Sequence, residues 1–196
     1  MWNERFNTDQ YIYGKEPNHF LAESAKYLSP SSKILSIGEG EGRNAVYLAS
    51  LGHYVTAVDS SVVGLRKALA LADEKNVKIK IVETNLADYN FETEKWDAVI
   101  SIFCHLPSVL RNKVHAGIIK ALKSEGLLIM ESYSKDQLKY KSGGPKDLDM
   151  LLDLETTKQE LNGLHFLHLK TTVRDISEGA FHTGDGSVVQ VIGRKP

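Results

Sequence analysis

The residues best suited to chemistry stand together early in the chain. Gly38-Glu39-Gly40-Glu41-Gly42-Arg43 directly follows an apolar run containing Ile34, Leu35 and Ile37. Such a run suits a buried parallel strand. Glycines let the backbone approach a ligand closely, and a helix beginning just after them offers N–H groups without intrahelical partners. Asn44 to Leu51 carries Ala45, Leu48 and Ala49 on one helical face, and Gly52 is placed to end that helix. Tyr54 to Val58 is a second β-rich run, and it ends in Asp59. An acid in that position can hold both hydroxyls of a ribose. The stretch reads as strand, glycine loop, helix, strand and acid, a unit that binds a nucleoside-containing cofactor.

The loop also selects among such cofactors. A dinucleotide site has the spacing G-x-G-x-x-G around a pyrophosphate. Here the spacing is G-x-G-x-G, Arg43 stands where the third glycine belongs, and Glu39 and Glu41 would repel a pyrophosphate. S-adenosylmethionine carries a ribose, an ammonium and a sulfonium but no phosphate, so the loop favours it over NAD. The product left by methyl transfer is S-adenosylhomocysteine. A glycine turn needed for geometry alone is the plain alternative; the strand, helix and Asp59 in register weigh against it.

Those elements must sit in a chain able to position them. At 196 residues the chain suits one α/β domain, residues 1–196, with a single core. Its apolar content of 42% and charged content of 25% are ordinary for a globular protein. The net charge of -1 and the lack of a basic patch argue against nucleic acid as a partner. The apolar runs are too short to span a membrane, and the polar start MWNERFNTDQ lacks the apolar core of a signal peptide. The single cysteine, Cys104, excludes an intrachain disulfide framework and fits a reducing compartment, so the expected location is cytoplasmic. Of the seven histidines, His165 and His168 are the closest pair, but an odd spacing puts them on opposite faces of a strand. No Cys or His cluster has zinc-ligand spacing, and no metal is expected.

Read in order, residues 1–30 form an arm and a helix. Trp2, Phe6, Tyr11 and Tyr13 either pin the arm to the fold or close over the cofactor, where an aromatic face can stabilise a sulfonium. Pro17 opens a helix with Leu21, Ala25 and Leu28 on one face. Residues 33–134 then alternate strand and helix. Ser60 or Ser61 caps a helix with a stripe of Leu65, Ala68, Leu69 and Ala72, and Val77 to Val82 is a third strand. Asn85 and then Asp88 are placed to reach an adenine amino group, or are plain turn residues. Trp96 to Phe103 is a fourth strand, Pro107 opens a helix, and Gly126 to Tyr133 is a fifth strand. This alternation predicts a mostly parallel sheet with helices on both faces. Residues 135–196 differ. A polar loop holds Gly143-Gly144-Pro145, and Leu148 to Leu161 has helical spacing. His165–Val173 and Ser187–Ile192 form a hairpin, so the last strand runs antiparallel.

At this point the chain resembles the class I S-adenosylmethionine-dependent methyltransferases over nearly its whole length. ILSIGEGEGRNAVYLASLGHYVTAVD is similar to that family's first motif and ribose acid, WDAVIS with CHLP to its fourth-strand motif, and ALKSEGLLIMESY to its fifth strand. GEGEGRNAVYLA and WNERF with YIYGKEPNHFL resemble the small-molecule branch that includes the tellurite-resistance and thiopurine methyltransferases. The resemblance implies a Rossmann-like seven-stranded fold of order 3-2-1-4-5-7-6 with strand 7 antiparallel. It implies that Gly38, Glu39, Gly40 and Gly42 line the methionine part, that Asp59 holds the ribose, and that Ser60, Asn85 and Leu86 flank the adenine. Phe103 falls near the methionyl end. Ser36 stands where the family usually has an acid, and Asn85 stands where it often has another.

Ligands in such sheets sit outside the carboxyl ends of the strands. That rule gathers Phe103 and His105 after the fourth strand, Tyr133 and the SGGP loop after the fifth, and Glu178 and His182 in the hairpin. Methyl transfer is an in-line displacement governed largely by positioning. His105 or His182 can serve as a general base, or each is a hydrogen-bonded structural residue. Arg43 either holds an anionic substrate or caps the loop. Cys104 reads as a small buried side chain. The expected function is methyl transfer to a small-molecule acceptor, a thiol, a metalloid or another soft or anionic nucleophile, by a monomer or homodimer with the arm as lid. The rivals are a non-catalytic S-adenosylmethionine-binding sensor and an NAD(P)-dependent oxidoreductase.

Overall fold

Ile34, Leu35 and Ile37 are all buried, because helices cover both faces of the strand that holds them, β1 (Lys33–Ile37). The computed structural model describes residues 2–179 and 183–196. The other strands are β2 (Tyr54–Asp59), β3 (Lys80–Glu83), β4 (Trp96–Ile102), β5 (Leu122–Tyr133), β6 (His165–Ser177) and β7 (Thr183–Arg194). They form one sheet of order β3-β2-β1-β4-β5-β7-β6. The first five pair in parallel, and β7 runs antiparallel to both β5 and β6. The order reverses at β1, which neighbours β2 on one side and β4 on the other. That reversal opens a crevice at the carboxyl ends of β1 and β4.

The helices are α1 (Trp2–Phe6), α2 (His19–Ser24), α3 (Arg43–Ser50), α4 (Val62–Glu74), α5 (Ser108–Ala121) and α6 (Leu154–Glu160). Alternate strand residues feed two apolar layers. Ile34, Ala98 and Ile100 pack with Leu21 of α2, Leu48 of α3 and Leu65 of α4. Leu35, Val99 and Leu128 pack with Val114 and Ile118 of α5. Each such fully buried aliphatic side chain contributes about 1.5–3 kcal/mol. Caps set the helix starts: Asn18 accepts from Leu21 N–H, Ser61 from Gly64 N–H and Asp153 from Thr156 N–H.

The structure departs from the sequence reading in several places; the third strand, for instance, is Lys80–Glu83 and not Val77–Val82. The expected helix from Leu148 to Leu161 is a 3₁₀ turn, Leu148–Met150, then an extended pair, then α6. Leu152 N–H donates to Tyr133 O at 3.0 Å, and Lys135 N–H donates to Leu152 O at 2.9 Å. Pairing with the end of β5, together with the Asp153 cap, overrides the leucine spacing. On α4, Leu69 is exposed and Leu71 is buried. The buried face is centred on Gly64, Leu65, Ala68, Leu71 and Ala72, and Leu69 lies at its rim. The hairpin strands extend beyond the expected Val173 and Ser187, pairing as far as Ser177 with Thr183. Finally, α1 forms where only an arm was expected. Among the described residues, no helix is long and apolar enough to cross a membrane.

Candidate active site

The loop between β1 and α3 is shaped by what cannot fit there. Gly38 has φ +61°, and a Cβ on it would lie 2.7 Å from Cys104 Sγ, so the ends of β1 and β4 touch. Gly42 has φ +93° and caps α3, where a Cβ would lie 2.5 Å from that of Ala68 on α4. Gly42 is therefore a helix-packing residue and does not line the cavity described below.

The two loop acids turn inward. Glu39 accepts from the N–H of Asn44 at 3.1 Å and of Ala45 at 2.8 Å, and from the Ser36 hydroxyl. It thus caps α3, and Ser36, where the family's acid was missing, supports that cap. Burial pushes the Glu39 carboxyl up. Glu41 accepts from Ile12 N–H at 2.8 Å and Tyr13 N–H at 3.3 Å, and lies 2.5 Å from Lys67 Nζ. Lys67 also donates to the carbonyls of Phe6, Thr8 and Gln10. Charge that the sequence reading reserved for a ligand instead straps the N-terminal arm across α4. Phe6 is buried, with its ring over Gly40, while Trp2 remains 41% exposed.

A cavity of about 590 Å³ lies at this crevice. Gly38, Glu39, Gly40, Arg43, Asp59, Ser60, Asn85, Leu86, Phe103 and His105 all line it, joined by Trp2, Phe6 and Tyr13 of the arm and by Gly143, Gly144, Pro145 and Met150. Its volume lies in the range of small-molecule sites, roughly 300–1,000 Å³. Asp59 accepts from Gly40 N–H at 2.9 Å through one oxygen and from Ser61 N–H at 2.8 Å through the other. Burial raises its pKa as well. Asn85 is exposed and accepts from Ala87 N–H at 2.9 Å, which is the turn-residue reading. Leu86 is buried and Ser60 exposed. Asp88, the second choice for adenine, is absent from the lining.

On the other side, Phe103 has φ +50°, a strained value for a bulky side chain. Its N–H donates to Glu131 O at 2.8 Å, and its ring lies 4.7 Å from that of Tyr133. His105 stacks on Tyr133 at 5.5 Å and 11°, with Nδ1 3.2 Å from Ser132 Oγ. Tyr133 is fully buried, its hydroxyl donates to Ser142 O at 3.2 Å, and burial pushes its pKa up. Burial likewise pushes the Cys104 thiol up to about 12, so it is a packing group at neutral pH.

Behind the loop lies a buried ion cluster that the sequence reading did not assemble. Arg43 Nη2 donates to Glu178 at 2.6 Å. Arg174 donates to Glu131 at 2.5 and 3.1 Å and to Glu178 at 2.6 Å. Asn18 Nδ2 bridges Glu131 at 2.7 Å and Glu178 at 2.9 Å, and Gln190 donates to Glu131 at 2.7 Å. Two guanidinium groups balance two carboxylates. Arg43 therefore neither caps the loop nor stands apart from the protein's own acids. The one sequence signal for the cluster was Glu131, an acid closing the apolar run Leu127–Met130 in a buried strand. The expected base His182 lies outside the described residues.

Comparison with known proteins follows the same outline. Residues 34–126, from β1 into β5, match the family described as Methyltransferase domain. A probable S-adenosyl-L-methionine-dependent methyltransferase TehB of Haemophilus influenzae is 32% identical over 60% of this chain and 41% of its own length. A ubiquinone biosynthesis O-methyltransferase of Rickettsia akari is 28% identical over 68% of this chain and 51% of its own. The chain thus spans about half the length of the curated relatives it matches. The crystal structure of TehB from Haemophilus influenzae superposes with a TM-score of 0.75 at 18% identity, covering 100% of this chain and 66% of that one. Residues 34–126 thus match a methyltransferase domain, and the chain resembles the TehB branch of the class I S-adenosylmethionine-dependent methyltransferases.

Proposed function

We propose that the protein transfers the methyl group of S-adenosylmethionine to a small-molecule acceptor. The observation that carries this reading is Asp59: a half-buried acid at the end of β2, with each oxygen held by one backbone N–H, on the wall of the cavity. Each oxygen keeps a second lone pair for a ribose hydroxyl. Gly38 and Gly40 line the cavity without side chains, so the backbone there is open to close approach by a ligand. In this reading Gly38 and Gly40 support the methionine part, Ser60, Asn85 and Leu86 flank the adenine, and Phe103 bounds the reacting end. The N-terminal arm covers the cofactor as a lid.

When bound, the cofactor supplies a methyl carbon already activated by a positively charged sulfur. The remaining work is positioning and proton removal. His105 is suited to the second task. It lines the cavity, Ser132 and the Tyr133 ring fix its plane, and an imidazole titrates near neutral pH. Neither Cys104 nor Tyr133 competes, since burial holds both protonated. The apolar wall of Phe103, Leu106, Pro145 and Met150 suits a soft acceptor such as a thiol or a metalloid species.

Two measurements test this. S-adenosylhomocysteine should raise the melting temperature and NADH should not; the reverse would sink the cofactor assignment. A panel of thiols, selenium and tellurium species and phenols should then yield a methylated product, with His105→Ala losing roughly 10²-fold or more in kcat for protonated acceptors. Tight cofactor binding with no transfer to any of them would point instead to a sensor.

A further inference from the structure

A second buried ion cluster joins α5 to α6, and methyl transfer as proposed gives it no task. Arg111 is 6% exposed. Its Nε donates to the Glu160 oxygens at 3.2 and 3.0 Å, and its Nη2 to Oε1 at 2.9 Å. His115, also buried, places Nδ1 2.8 Å from the same carboxylate. Burial pushes the Glu160 carboxyl up, but the His115 and Arg111 contacts outweigh it and hold the group below the ordinary range. Nη1 turns away from this pair. It donates to Asp149 O at 2.6 Å and to Leu106 O at 3.2 Å. These carbonyls lie on different segments, one between β4 and α5 and the other in the 3₁₀ turn Leu148–Met150. A second tie runs between the same two segments: Ser108 N–H donates to Asp149 Oδ2 at 2.8 Å.

Leu106 and Met150, the neighbour of Asp149, line the cavity, whereas Arg111 and Glu160 do not. Arg111 thus holds part of the apolar wall from behind, and its hydrogen bonds reach neither the glycine loop nor Asp59. A buried ion pair is weak support for stability, since apolar side chains of similar size can replace it without loss. Apolar side chains cannot donate to carbonyls on two separate segments, and a guanidinium fork can. We infer that Arg111 is a positioning residue that fixes the separation of Leu106 and Met150, and that this separation selects acceptors by their bulk. This rests on the acceptor site proposed above. Leu106 directly follows His105, so the same bond steadies the backbone that carries the proposed base.

The test compares the full wild-type chain with the double variant Arg111→Met, Glu160→Met. Removing both charges together leaves neither buried alone, so the fold is kept while the clamp is lost. With S-adenosylhomocysteine bound, amide hydrogen exchange in residues 103–108 and 147–152 should quicken by roughly 10-fold or more, and that of residues 38–43 should stay as in wild type. Methyl transfer is then measured to ethanethiol, thiophenol and 2-naphthalenethiol. The ratio of kcat/KM for the naphthyl thiol over ethanethiol should rise on the order of 10-fold, mostly through KM, the scale on which an apolar pocket discriminates by bulk. Affinity for S-adenosylhomocysteine should not change. Asp149→Ala, which cuts only the tie to Ser108, should move the ratio the same way by less. A double variant that keeps the wild-type ratio, or that loses cofactor affinity in step with acceptor affinity, would overturn the inference, as would unchanged exchange in both segments. Wild type that binds S-adenosylhomocysteine but methylates none of the thiols sinks the thiol reading instead, and exchange alone then decides whether Arg111 holds the wall.

Discussion

The glycine loop and the ion cluster behind it both bury carboxylates, and they settle the charge in opposite ways. In the loop, Glu39 is served by two backbone N–H groups and a hydroxyl, all within six residues of it. Burial still dominates and pushes its carboxyl up. In the cluster, burial pushes the Glu178 carboxyl up too, but the Arg43 charge and the Arg174 contacts outweigh it and hold the group below the ordinary range. Dipoles solvate a buried acid only in part, whereas full countercharges reverse the balance. The functional contrast follows. The loop's acid shapes one turn and tolerates losing its charge. The cluster's acids bind the arm through Asn18, α3 through Arg43, and the hairpin through Arg174, and each depends on the others keeping their charge.

The contrast is broken most directly at Arg174. Arg174→Met strips the cation from Glu131, which is 0% exposed, and one of the two cations from Glu178. The expected loss is about 3–5 kcal/mol in denaturant unfolding, the cost of leaving a buried charge unpaired. A loss below about 1 kcal/mol would mean that the cluster behaves like a surface ion pair. The next comparison is between two isosteric changes. Glu178→Gln leaves two guanidinium groups short of charge and should cost roughly 2–3 kcal/mol. Glu39→Gln keeps a carbonyl for the Asn44 and Ala45 N–H groups and should cost about 1 kcal/mol or less. Equal losses would erase the distinction between the two regions.

That same contrast decides what could be read from the sequence. The strand–loop–helix–strand–acid unit was legible because its interactions are local, and apolar runs with glycine punctuation encode them directly. The mostly parallel sheet and its antiparallel last strand were legible because alternation and a short hairpin leave few topologies, while the strand order was legible only through the family resemblance. The cluster was not, since Arg43 and Glu178 stand 135 positions apart and Asn18 and Glu131 stand 113 apart. No periodic pattern pairs such residues. The acids inside the loop were misread for a related reason. Their types favoured a cationic ligand, but only the fold reveals that Glu39 meets its own helix and Glu41 the N-terminal arm. Leucine spacing misled at Leu148–Leu161, where pairing of Leu152 with the end of β5 outweighs periodicity.

The smallest expected effect is the pH dependence, and it carries the contrast in its sign. Glu178 has a folded pKa below the ordinary 4.5, so its stabilisation is fully present above 4.5 and is lost as pH falls through the lower folded value. Glu39 has a folded pKa above 4.5, so it works the other way: stability is gained as pH falls from that folded value toward 4.5. The two windows adjoin without overlapping. Melting temperature should therefore be followed from neutral pH to below 4, and read as each variant minus wild type, which cancels the other carboxylates. Glu39→Gln should lose ground to wild type as pH falls toward 4.5, because it lacks the gain. Glu178→Gln should close its deficit below 4.5, because wild type there loses what the variant never had. If both difference curves bend in the same window, the two acids are buried in equivalent surroundings, and Arg43 and Arg174 do not hold the charge on Glu178.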